Sequence, residues 1–223
     1  ELNQPLNAIK IGNDFLKKQI EQNRPILSNE LHQVVSAVST QVNRASEIIR
    51  SLREFGRKPD FRKEKVDVNA TIKDVMKIIG QQLSLQNIKV VYDLDETAPP
   101  ILANKNRLEQ VIFNLVTNAR DAILNQVHFP ENSVEDIIAI STWSEQRTHL
   151  NMTISDTGTG IPEKNIPKIF EPFYTTKEVG KGMGLGLSIT YGIIRDFEGT
   201  INVESKPDGG TRFHLRFPSG RKT

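Results

Sequence analysis

The strongest constraint on this chain lies in its first quarter. Leu2, Leu6, Ile9, Asn13, Leu16 and Ile20 recur at alternating spacings of four and three. After the breaker stretch NRPILSNE, Leu31, Val35, Val38, Val42, Ala45, Ile49 and Leu52 repeat the rhythm. A period of about 3.5 residues draws a narrow apolar seam, as in coiled coils and four-helix bundles. Ile11 and Phe15 widen the first face, and Val34, Ile48 and Phe55 the second. Two helices alone bury too little of this surface. The economical solution is a dimer in which two hairpins form a four-helix bundle; the alternative is a hairpin packed on the rest of its own chain. Ser28, just before Leu31, marks a helix start, and Gly56 followed by Pro59 a stop. The opening ELNQPLNAIK reads as helix interior with no cap, so we expect a fragment of a longer protein.

From Lys65 onward the pattern mixes. A helix is expected over 69–86, started by Asp67 or Asn69, then a strand over 87–94 and a helix across 107–124 capped by Asn104. Strands at 136–144 and 149–156 are joined by a turn, a helix starts near Gly184, and strands at 199–205 and 211–217 close the chain. This order predicts an α+β sandwich, with helices on one face of a mixed sheet. FGRKPDF (55–61) is the expected boundary between a helical domain, 1–58, and an α/β domain, 59–223. A formal charge of +2 over 223 residues gives no electrostatic argument for nucleic acid. With no cysteine, disulfides, thiolate catalysis and cysteine-based zinc sites are excluded. His32, His128, His149 and His214 share no metal-ligand spacing. No apolar run is long enough to span a membrane, and no signal peptide is visible.

Four short segments carry chemistry. In GKGMGLGLSIT (180–190) glycines alternate with other residues ahead of a helix. Close backbone approach and free helix N–H groups make a phosphate cradle, although the spacing matches neither dinucleotide-binding nor P-loop fingerprints and a flexible turn would read the same way. In SDTGTGI (155–161) a carboxylate at a strand end stands beside two glycines. Asp156 there can accept a hydrogen bond from a purine amine while Gly158 and Gly160 make room; a plain Asp-Gly turn is the alternative. NLVTNARDAI (114–123) places Asn114 and Asn118 on one helical face with Asp121 beyond. Amide and phosphate oxygens suit Mg²⁺, and solvent-facing asparagines fit poorly with so apolar a helix. GGTRF (209–213) completes the order.

Taken together, these segments resemble the bacterial sensor histidine kinases over nearly the whole chain. NLVTNARDAI is similar to their N box, DTGTGI to the first glycine box, IFEPFYTTK to the F box, GKGMGLGLSI to the second glycine box and GGTRF to the third. The implied fold is a dimeric helical hairpin followed by an ATP-binding sandwich of the gyrase, Hsp90, histidine kinase and MutL type. ELNQPL and EPFYTTKEVGKGMGLGLSITYGIIRDFEGTI most resemble the nitrogen-regulation and dicarboxylate-transport subgroup. The family's acceptor box reads His-Glu-x-x-x-Pro, so the resemblance implies that the phosphorylated His stands immediately before Glu1.

The implied reaction moves the γ-phosphoryl group of ATP to that His, then to an Asp of a response regulator's receiver domain, in the cytoplasm. By the same resemblance Asp156 binds the adenine amine, Asn118 holds Mg²⁺ and Asn114 supports the site. Asn114 stands where hydrolysing relatives carry a catalytic Glu, and an amide cannot deprotonate water. Asp121 is read as a group near the adenine. Gly158, Gly160 and Ile161 shape the first box; Gly182, Gly184 and Gly186, with Leu185 and Leu187 between them, bring N–H groups to phosphate; Thr211 supplies the third-box hydroxyl. Lys177 and Lys181 belong to an expected lid, 171–183. Glu1 is positioned to accept the imidazole proton, and Gln4 occupies the place where relatives orient water for dephosphorylation. Two competing readings are a non-catalytic dimeric nucleotide-binding scaffold and a gyrase- or MutL-type ATPase; Asn114 and the helical hairpin argue against the latter.

Overall fold

A computed structural model of the chain describes residues 3–56, 62–126, 135–146, 148–177 and 183–220. Glu1, Lys181, Gly182 and most of the 55–61 boundary lie outside the described residues, as do the side chains of 43, 44, 47, 48 and 50–56. Backbone contacts divide the chain into two units, Glu1–Pro59 with Thr176–Met183, and Asp60–Thr175 with Gly184–Thr223.

In the first unit, α1 (Asn3–Glu21) and α2 (Ser28–Gly56) pack against each other as a hairpin. The contact is close because Gly12 lacks a side chain: a Cβ there would lie 2.7 Å from Val38 Cγ2. The seam on α2 splits in two. Val38 and Ala45 are covered within the hairpin, whereas Val35, Val42 and Ile49, seven residues apart, stay 46–55% exposed. Leu6, Ile11, Phe15 and Ile20 of α1 are exposed as well.

The second unit is an α+β layer structure. Its elements are β1 (Glu64–Val66), α3 (Val68–Leu85), β2 (Lys89–Leu94), β3 (Ile101–Ala103), α4 (Lys105–Leu124), β4 (Ile137–Glu145), β5 (His149–Asp156), a 3₁₀ turn (Glu163–Lys168), α5 (Gly186–Asp196), β6 (Thr200–Ser205) and β7 (Thr211–Pro218). Five strands run in the order β2-β4-β5-β7-β6, with β2 parallel to β4 and the other pairs antiparallel. Strand alternation sends Ile138, Ile140, Leu150, Met152, Ile154, Phe213, Leu215 and Phe217 to one face, where α3, α4 and α5 cover them. Each wholly buried side chain of this size contributes about 2–3 kcal/mol. The opposite face carries Ala139, Ser141, Thr153, Ser155 and Arg212, with Trp143 stacked on His214 at 5.4 Å.

Helix ends follow local chemistry. Asp67 rather than Asn69 caps α3, its side chain accepting from Ala70 N at 3.0 Å. Asn69 instead donates to Asp95 O at 2.8 Å and accepts from Thr142 Oγ1. Asn104 caps α4 through Arg107 N. The strand expected over 87–94 begins two residues later, because Asn87 (φ 59°) and Ile88 close α3: their N–H groups reach Ser84 O and Leu83 O. The three-residue strands β1 and β3 pair with each other and were not anticipated, being too short to show a period.

Candidate functional site

Asp156 is the last residue of β5. Its Oδ1 accepts two backbone bonds, from Gly158 N at 2.9 Å and Thr211 N at 3.2 Å. Oδ2 takes no hydrogen bond from the described residues. Burial dominates the electrostatics and pushes the Asp156 carboxyl up to about 6, against the opposing pull of those two N–H groups. A carboxylate held in this way has one oxygen for the protein and one for a ligand donor.

The turn after Asp156 is clamped from both sides. Thr159 N donates to Ala122 O of α4 at 3.2 Å, and Gly210 N donates to Gly158 O at 3.1 Å. Gly158 lies so near α4 that a Cβ would meet Ala122 C at 2.6 Å and Ile123 N at 2.7 Å. Ile161 N donates to Ser205 Oγ at 2.7 Å, and Ser205 also contacts Gly210 O and Thr211 Oγ1. The first and third glycine segments, about fifty residues apart in sequence, are thus one hydrogen-bonded structure.

Asn114 and Asn118 project from α4. Asn114 Nδ2 donates to Gly186 O at 3.3 Å, and Thr190 Oγ1 lies 3.5 Å away. This bond ties the N-terminus of α5 to α4. Asn118 is half-buried, and its side chain makes no hydrogen bond among the described residues. Asp121 is paired with Arg120, whose Nη2 lies 2.6 Å from Oδ1.

The helix expected near Gly184 begins at Gly186. Gly184 has φ +65°, a conformation that a side chain resists, and a Cβ there would strike the Tyr174 carbonyl. Its own carbonyl accepts from Phe173 N at 3.0 Å, so the F-box segment and the second glycine segment are joined. Leu185 is buried, Leu187 packs on the core, and among the described residues no side chain caps the first N–H groups of α5. Such a helix start attracts anions.

In the second unit Asp156, Gly158, Gly160, Ile161 and Thr211 form one group against the C-terminal part of α4, and Gly184, Leu185, Gly186 and Leu187 form another that is tied to Asn114, with Asn118 and Asp121 on α4 between Asn114 and Ala122. Lys177 groups with the first unit, and Gln4 is an exposed residue of α1 in that unit. Ser205 and Thr190 were missed: each matters only through a partner that strand register or helix packing supplies. Among the described residues no three His, Asp or Glu side chains cluster as a metal site. The Asn118 side-chain amide offers one neutral oxygen of the kind a hard cation such as Mg²⁺ accepts.

Residues 103–221 match the profile described as histidine kinase-, DNA gyrase B- and HSP90-like ATPase, and the chain belongs to that family. It is 32% identical over 223 residues to sensor kinase CckA of Brucella abortus (strain 2308), covering 98% of this chain and 23% of that protein. The catalytic domain of histidine kinase ThkA, 30% identical, superposes with a TM-score of 0.59 over 70% of this chain and 95% of that one. ThkA in complex with the response regulator protein TrrA shares the fold, with TM-score 0.71 and 23% identity over 97% of this chain and 59% of that one. The chain spans 23–44% of the length of the curated kinases it matches.

Proposed function

We propose that the chain is the core of a bacterial sensor histidine kinase of the nitrogen-regulation and dicarboxylate-transport type. Residues 1–58 form the dimerisation and phosphotransfer hairpin, and 59–223 bind Mg²⁺-ATP. The observation that carries this reading is the pairing of Asp156, with Oδ2 unengaged, and Asn118, without a partner among the described residues, on elements clamped together by Gly158 and Thr159. Asp156 accepts the adenine amine. Asn118 orients the metal-bound phosphates, and the N–H groups from Gly184 to Leu187 receive them. Magnesium, when bound, neutralises charge on the phosphates. Asn114, already donating to Gly186 O, holds α5 in place and supplies no base for hydrolysis.

In the transfer step a nitrogen of the His preceding Glu1 attacks the γ-phosphorus, the bond to the bridging oxygen breaks, and ADP leaves. Glu1 accepts the imidazole proton. The phosphoryl group then passes to an Asp of a receiver domain; the complex of ThkA with the response regulator TrrA offers a precedent for that partner. Gln4 is the residue set to orient water for the reverse, dephosphorylating reaction. The exposed row Val35, Val42 and Ile49 supports a homodimer, because a second hairpin would cover it. Dependence on ATP makes the cytoplasm the working compartment.

The test uses the parent protein with His before Glu1 and γ-labelled ATP. Acid-labile label on the protein, lost in Asn118→Ala and Asp156→Ala, is the expected outcome. Tight ATP binding with no label would leave a scaffold, and fast phosphate release without labelled protein would indicate an ATPase.

A further inference from the structure

Asp156, Thr211 and Ser205 form one row across β5, β7 and β6: Asp156 pairs with Thr211, and Thr211 with Ser205. Directly opposed residues of antiparallel strands share a face, with Cβ atoms about 5 Å apart. Ser205 Oγ is the hub of this row. It accepts from Ile161 N at 2.7 Å, donates to Gly210 O at 2.8 Å and lies 3.0 Å from Thr211 Oγ1.

A serine hydroxyl has a single proton, and a carbonyl only accepts. The Ser205 proton therefore goes to Gly210 O. The remaining contact is a hydrogen bond only if Thr211 donates its own proton to Ser205. Thr211 is then left with lone pairs alone to offer a ligand. The neighbouring Asp156, when ionised, is likewise an acceptor without a proton.

We propose that Ser205 is a specificity-determining positioning residue: by drawing the Thr211 hydroxyl proton towards itself, it makes this end of the site an acceptor-only wall. Such a wall receives the exocyclic amine of a 6-aminopurine. A 6-oxopurine would set a carbonyl against acceptors at the 6-position and leave only its N1–H to pair with one of them. The inference rests on Asp156 being the purine-binding group, as proposed above. Ser205 acts through Thr211 rather than on the base itself.

The experiment is calorimetric titration of the full chain with ADP and with IDP, which differ at the purine 6-position and the adjoining N1. The wild-type chain should prefer ADP. Ser205→Ala releases the Thr211 hydroxyl to donate, and the ADP:IDP affinity ratio should fall about tenfold; Ser205→Thr should restore it. Thr211→Val keeps the Ser205 bonds to Ile161 and Gly210 and should also lower the ratio, so poor folding of Ser205→Ala leaves a decisive variant. An unchanged ratio in Thr211→Val, or in a folded Ser205→Ala that is merely less heat-stable, overturns the proposal and makes Ser205 a structural tie. Equal affinity of the wild-type chain for both nucleotides overturns it too. Failure to bind ADP at all would instead remove the purine reading of Asp156.

Discussion

Replacing Asp156 by Asn should stabilise the nucleotide-free protein at neutral pH while weakening its hold on adenine nucleotides. In the fold, burial raises this carboxyl from 3.8 to about 6. A shift of that size corresponds to about 3 kcal/mol between protonated and ionised forms. The sign follows from linkage. Below pH 3.8 the carboxyl is protonated in both states and no penalty exists. Between 3.8 and about 6 the unfolded chain ionises first, so stability falls as pH rises. Above about 6 the full deficit persists. Asn never ionises, and its Oδ1 can keep the bonds from Gly158 N and Thr211 N. The variant should therefore gain up to about 3 kcal/mol at pH 7, or roughly 6–12 °C in Tm for a chain of this size. The gain should shrink towards nil near pH 4. Urea unfolding of both proteins across pH 4–7.5 measures it, and the other titrating groups cancel in the difference. A difference that does not change with pH, or an Asn variant less stable at pH 7, would refute the reasoning. ADP affinity of the wild-type protein should drop below pH 6, as the Asp156 acceptor is protonated, and the variant should lack that inflection.

Two further outcomes follow from the packing. Gly158→Ala forces a methyl against the Ala122 and Ile123 backbone, so the α4 clamp must open; chemical denaturation should show a loss of about 2–3 kcal/mol, with weaker ADP binding, and a neutral result would mean that the clamp is slack. Val42→Asp puts a charge in the exposed seam, and light scattering should report a monomer; a dimer of unchanged mass would show that this row is not the interface.

Much of the fold was legible because its cues are local. The cap at Asn104 and the alternation in β4, β5 and β7 are decided by neighbouring residues, whereas the choice between Asp67 and Asn69 at α3 was settled only by the bonds of Asn69 to the distant Asp95 and Thr142. The start of α5 was placed two residues early, since the left-handed Gly184 and its bond to Phe173 N arise from a segment about ten residues upstream. The seven-residue row was equally visible, but only the packing of Gly12 on Val34 and Val38 shows which part α1 covers and which stays open.

The chain by itself determined which residue types stand at strand ends and helix starts: a carboxylate before glycines, two amides one turn apart, a glycine run ahead of an apolar helix. Those are short-range facts, fixed by order along the backbone. Tertiary structure alone decided their partners. Strand register set Asp156, Thr211 and Ser205 in one row, and helix packing brought Asn114 to Gly186 and Gly158 to Ala122. Hydrogen bonds and burial act through space, so the raised Asp156 carboxyl and the contact between Ser205 and Thr211 exist only once distant segments have closed around them.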